Sequence, residues 1–173
     1  MITSGYLSMM ARYNRWQNQT LHKAAAGLSD EARRRTSGAF WGSIHGTLSH
    51  LHWADTIWLS RFNLVEKPAV GLKDSATHVA DWDALVAART ALDDQIVAWA
   101  DGFAPGPVTG DLTWYSGALG REATAPLPVV LVHMFNHATH HRGQAHALIT
   151  AAGGTPEDTD LFLMPRAAWP ESA

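Results

Sequence analysis

The chain has no cysteine in 173 residues. That absence removes disulfides, thiolate metal ligands and a cysteine nucleophile. Glutamate is scarce, confined to Glu31, Glu66, Glu122, Glu157 and Glu171. A di-iron carboxylate bundle needs Glu-x-x-His on each of two helices and two more glutamates, and none here lies in that pattern. The metalloprotease signature His-Glu-x-x-His is missing too, because Met134 follows His133 and Ala138 follows His137. No large charge excess exists: the net charge is −3, so the basic footprint of a nucleic-acid binder is lacking. Arg33-Arg34-Arg35 is the only basic run and reads as a solvated face. No run approaches about 18 uninterrupted apolar residues, and no basic stretch leads into an apolar core at the N-terminus. The expectation is a soluble cytoplasmic protein with a small-molecule partner and neither nucleic acid nor membrane. Internal repeats and low-complexity segments are also absent.

Against these gaps stand ten histidines and eight tryptophans, with 46 % apolar residues. The length suits one domain over residues 1–173, large enough to bury a core. The tryptophans either fill that core or line a pocket.

Four long helices are expected. The first runs from Thr3 or Ser4 to Ala26, with Tyr6, Met10, Tyr13 and Leu21 near helical spacing and Gly27 as a stop. Ser29-Asp30-Glu31 looks like a capped short turn. The second, about 43–65, carries the stripe Ile44, Leu48, Leu51, Asp55, Trp58 and Phe62, with Pro68 beyond it. In the third, about 80–100, Trp82, Leu85, Arg89, Leu92, Ile96 and Trp99 alternate steps of three and four. Residues 108–125, with Thr113, Trp114, Tyr115, Gly117 and Gly120, suggest a short hairpin or ordered loop. Pro126 and Pro128 suit the first turn of the fourth helix, which stops at Gly153-Gly154. A tail from Thr155 follows, irregular but anchored through Leu161, Phe162 and Leu163. The economical architecture is an all-α four-helix bundle.

The fourth helix contains Asn136-His137-Ala138-Thr139-His140-His141-Arg142-Gly143-Gln144. A spacing of four puts His137 and His141 on one face, along the stripe Val130, Met134, Gln144 and Leu148. Imidazoles pointing into a bundle need partners, since an unpaired buried polar group costs about 1–3 kcal/mol. A metal ion is one such partner, and a hydrogen-bonded core is the other. A third ligand has to come from another helix, where His45, His50 and His52 are available. Spacing does not choose among them. His133 and His141 lie about 12 Å apart along the axis, too far for one ion.

The segment Gly46-Thr47-Leu48-Ser49-His50-Leu51-His52-Trp53-Ala54-Asp55-Thr56-Ile57-Trp58-Leu59-Ser60-Arg61-Phe62 and the 136–144 motif together resemble the DinB/YfiT-like family of damage-inducible bacterial proteins. The resemblance extends through Gly153-Gly154-x-Pro156 and Asp160-Leu161. It implies a four-helix bundle, often dimeric, holding a divalent metal through His50, His137 and His141, with His133 and His140 outside the ligand set. Around such ligands, Asp55 reads as a partner for an imidazole N–H or as an acid/base group near the metal, or merely as the partner of a cap or an arginine. Gln144 shares the ligand face and can hydrogen-bond one of them. Gly143 reads as a close helix approach, and Arg61 and Arg142 as surface or pairing residues. Tyr6, Met10 and Tyr13 form either core or a homodimer face.

Three neutral ligands leave a metal its full charge and an open position. Such a site lowers the pKa of bound water to about 7 or deprotonates a thiol. Some relatives are thought to be thiol S-transferases, so the resemblance implies a metal-dependent enzyme joining a low-molecular-weight thiol to small electrophiles. The alternatives are a metal-dependent hydrolase and a non-catalytic metal-binding bundle. Zinc is the default metal; nickel, iron, copper or manganese are the other choices.

Overall fold

The computed structural model describes residues 2–170, which are mostly helical. In chain order they form α1 (Ser4–Ala26), α2 (Asp30–Arg34), α3 (Ile44–Arg61), α4 (Trp82–Asp101), β1 (Asp111–Ser116), β2 (Arg121–Pro126) and α5 (Leu127–Ala151). A 3-10 turn at Leu72–Thr77 packs on α3. None of these helices is long and apolar enough to cross a membrane.

Side chains set the helix starts. Thr3, Ser29, Ser43 and Asp81 each accept a hydrogen bond from the backbone N–H three residues on, satisfying a donor the first turn leaves free. The capped turn expected at Ser29 is α2. The second long helix ends at Arg61, four residues before the expected Val65. There Asn63 turns left-handed (φ 59°) and Leu64 N–H returns to Leu59 O at 3.1 Å, a helix-ending geometry that asparagine tolerates.

Of the hairpin or ordered loop expected before the last helix, the hairpin forms, and it adds a small two-stranded sheet to the four long helices. The segment between α4 and α5 is an antiparallel hairpin, with Asp111 opposite Pro126 and Ser116 opposite Arg121. Leu112 and Trp114 are half-buried while Thr113 and Tyr115 face out, the alternation of a strand with one covered face. Thr113 and Thr124 meet across it, their hydroxyls 2.8 Å apart.

α1 packs on α4 and α5, and α3 packs on α5 and α4. The stripes expected for α3 and α4 are buried, except that Phe62 and Trp99 are only half-buried. In α1 the buried stripe is shifted: Leu7, Ala11, Asn14, Asn18, Leu21 and Ala25 point inward, while Tyr6 and Met10 pack on its shoulder. Two asparagines fit the stripe because the core is polar at this level. Asn18 donates to Asp93 at 2.9 Å, and Asn14 accepts from Arg142. Arg89 lies between Asp55 and Asp93, 2.8 Å from each, and all three are at most 3 % exposed.

The tail is anchored differently from expectation. Leu161, Phe162 and Leu163 form an outward 3-10 turn and are 40–72 % exposed. Met164 is the buried anchor, with the Trp169 indole donating to its carbonyl at 2.8 Å. Upstream, Tyr13 donates to Thr159 O at 2.6 Å and Gln17 to Asp158 O at 3.1 Å. Glu171 and its two successors lie outside the described residues.

Candidate metal centre

α3 and α5 present their histidines to one another. Of His45, His50 and His52 on α3, it is His50 that clusters with the histidines of α5. Its ligand nitrogen and those of His137 and His141 all lie within 4.8 Å of one another. His137 Nε2 and His141 Nε2 are 3.2 Å apart. His45 is turned away, its Nε2 2.8 Å from Val79 O. His52 stacks on His78 at 5.3 Å. His133 packs edge-on against Trp58, and neither it nor His140 joins the cluster.

The surroundings orient each ring. His50 Nδ1 is 2.8 Å from Ser75 Oγ, and Ser75 is fully buried. His50 Nε2 is buried and has no hydrogen-bond partner. His141 Nδ1 is 2.7 Å from Gln144 Oε1, and the other end of that amide is 3.2 Å from His140 Nε2. Gln144 thus holds a ring of the cluster, as its face suggested. Trp41 lies flat on His50, with ring centroids 3.7 Å apart and planes 17° apart. Its loop passes so close to α3 that a Cβ on Gly46 would sit 2.3 Å from Trp41 O. Only glycine fits there, one turn before His50.

Burial keeps the cluster uncharged. Desolvation, then repulsion from His141 and His137, pulls the His50 pKa down to about 3. The His137 pKa falls to about 4 for the same leading reason, helped by His141. The His141 pKa is lowered by burial, opposed by its bond to Gln144. Neutral imidazoles with free lone pairs are what a metal requires of histidine. The rings border a cavity of about 640 Å³ whose rim includes Phe40, Leu72 and Lys73. No carboxylate among the described residues lines it.

Other residues weighed for the site sit elsewhere. Asp55 takes the arginine alternative: Arg89 Nη1 donates to its Oδ2 at 2.8 Å, and it does not line the cavity. Arg142 is a buried residue, 4 % exposed, which corrects the surface reading. Arg61 covers the Trp58 ring at 4.1 Å and reaches Trp114 at 5.5 Å, a cation–π arrangement. The close approach expected at Gly143 is corrected as well, since a Cβ there would meet nothing within 4 Å. Ser75 and Trp41 escaped the sequence reading. Ser75 stands 25 residues from His50 with no motif around it, whereas the glycines flanking Phe40-Trp41 marked only a loop.

Four long helices with three imidazoles converging from two of them define a helical protein with a candidate all-histidine metal site. The chain belongs to the DinB family, whose family model matches residues 1–172. No curated protein and no solved structure matches it.

Proposed function

We propose that His50, His137 and His141 hold one divalent metal ion in a four-helix-bundle enzyme of thiol S-transferase type, acting on small electrophiles. The carrying observation is the convergence of three neutral imidazoles around a His50 Nε2 that is buried without a partner. Such an orphaned atom is costly unless something occupies it. The residues fit a metal. A tetrahedral ion with bonds of about 2.0–2.1 Å sets neighbouring nitrogens about 3.3 Å apart, and His137 and His141 already stand at 3.2 Å. Zinc suits this neutral, redox-silent donor set; nickel, iron or manganese are its competitors. When bound, the ion supplies a Lewis acid that favours thiolate over thiol.

The chain's own groups do the rest. A ligand at His50 Nε2 requires the proton on Nδ1, and Ser75 Oγ accepts it. Gln144 Oε1 does the same for His141. Trp41 restrains the His50 ring and covers it. The cavity offers room for a thiol and an electrophile beside the cluster, and Lys73 gives its rim a positive charge. Hydrolysis is the weaker reading, because of its two candidate bases Asp55 is engaged by Arg89, which leaves His140. A purely structural role is disfavoured by a cavity opening on the histidines. Cytoplasmic location and a homodimer complete the proposal.

The test uses metal-loaded protein, a panel of low-molecular-weight thiols including glutathione, and a chromogenic aryl halide. Conjugation accelerated by wild type and lost in His137→Ala supports the enzyme reading. No acceleration with any thiol defeats it, even if the metal binds.

A further inference from the structure

A second cavity, of about 250 Å³, lies between α1 and α5. Its α5 wall comes from Thr139, Arg142, Gly143 and His146, and Thr159 of the tail borders it. At about 100° per residue these α5 positions sit on the side of the helix nearly opposite His137, His141 and Gln144. The cavity is therefore separate from the histidine cluster.

Arg142 is its distinctive feature. The other deeply buried guanidinium, that of Arg89, contacts two carboxylates. Arg142 is 4 % exposed and has no carboxylate within ion-pairing distance among the described residues. Its hydrogen bonds go to neutral acceptors, Asn14 Oδ1 and, at 3.0 Å, Thr139 Oγ1. A guanidinium has five N–H donors in a fixed fork, and the others meet no acceptor among the described residues. Asp55 and Asp93 face it from α3 and α4 beyond contact distance, opposed by Arg89. A guanidinium is charged at neutral pH. A buried cation of this kind calls for an anion.

We propose that this cavity binds a small monocarboxylate, with its carboxylate on Arg142. One guanidinium matches one negative charge, and the nearby Asp55 and Asp93 disfavour a dianion. The Tyr13 ring and Leu21 supply an apolar wall for a short organic tail. Gly143 lines the cavity, and beyond its chain neighbours and the adjacent helix backbone no atom lies within 4 Å of where its Cβ would stand.

The test follows the Arg142 Nε–Hε resonance in full-length protein labelled with ¹⁵N-arginine, the resonance being assigned by its loss in Arg142→Lys. Sodium acetate is titrated at constant ionic strength against sodium chloride. A saturable shift with acetate but not chloride is expected. Gly143→Leu, which puts a helix-favouring side chain into open space, should weaken acetate binding about tenfold or more while keeping the circular dichroism of wild type. No saturable shift, an equal response to chloride, tighter binding of inorganic phosphate, or unchanged affinity in folded Gly143→Leu each overturns the proposal. None of these readouts depends on metal.

Discussion

Replacing Ser75 with alanine isolates what the buried hydroxyl does for the cluster. Ser75 is fully buried, and its Oγ is 2.8 Å from His50 Nδ1. Removing the oxygen leaves a buried ring N–H without an acceptor, a loss of about 1–3 kcal/mol in fold stability. For a chain of this length that lowers Tm by roughly 2–12 °C, at about 2–4 °C per kcal/mol. The second effect concerns the metal. With no acceptor to hold the proton on Nδ1, the imidazole is free to place it on Nε2, the atom that faces His137 and His141. Losing a partner of this kind costs about 10–100-fold in metal affinity, or about 1.4–2.7 kcal/mol. The assay is competition between protein and a chromogenic zinc chelator, run beside urea unfolding of the metal-free protein. Stability and affinity then appear as separate numbers. Zinc affinity within twofold of wild type, in a variant that is folded, would refute the claim that Ser75 orients His50.

Two further outcomes follow from the buried charges. Arg89→Met strands Asp55 and Asp93 side by side in the core, so urea unfolding should show a loss of about 3–5 kcal/mol; a loss under about 1 kcal/mol would contradict the paired geometry. Acid should destabilise the metal-free protein, because His22 is depressed to about 4, His50 and His52 to about 3, and His137 to about 4, burial being the leading cause in each. The unfolded chain binds these protons near pH 6.5 and the folded chain only near 3–4, so stability is lost as pH falls through that window. The slope is at most about 1.4 kcal/mol per pH unit for each imidazole, less for His50 and His137 beside the cavity. Asp93, raised to about 6 by burial, opposes the trend between about 6 and 4. Unfolding midpoints unchanged between pH 6.5 and 4.5 would contradict this assignment.

The long helices were legible because α3 and α4 bury strict stripes and every long-helix start but that of α5 carries a capping side chain. In α1 the apolar periodicity points to the buried Leu21 but falls one residue off at Tyr6, Met10 and Tyr13, since it passes over Asn14 and Asn18, whose burial depends on Arg142 of α5 and Asp93 of α4. The tail failed for a related reason. Leu161, Phe162 and Leu163 are apolar, yet a 3-10 turn directs them outward, and no local pattern shows that Met164 turns in. At the site, the i, i+4 histidines on α5 were visible from spacing. Choosing His50 over His45 and His52 took the family resemblance, because His50 points about 140–160° away from the other two around α3 and spacing alone does not say which direction meets the α5 histidines. Asp55 stood on a core stripe and so looked like a site residue, although its partner Arg89 occupies the equivalent stripe of α4.

The central claim is that three imidazoles hold one metal. Elemental analysis of untagged wild type, His50→Ala, His137→Ala and His45→Ala tests it most directly. The account predicts about one divalent ion per chain in wild type and His45→Ala, with loss from the other two. A wild type without metal, or a His50→Ala variant that retains it, would contradict the account.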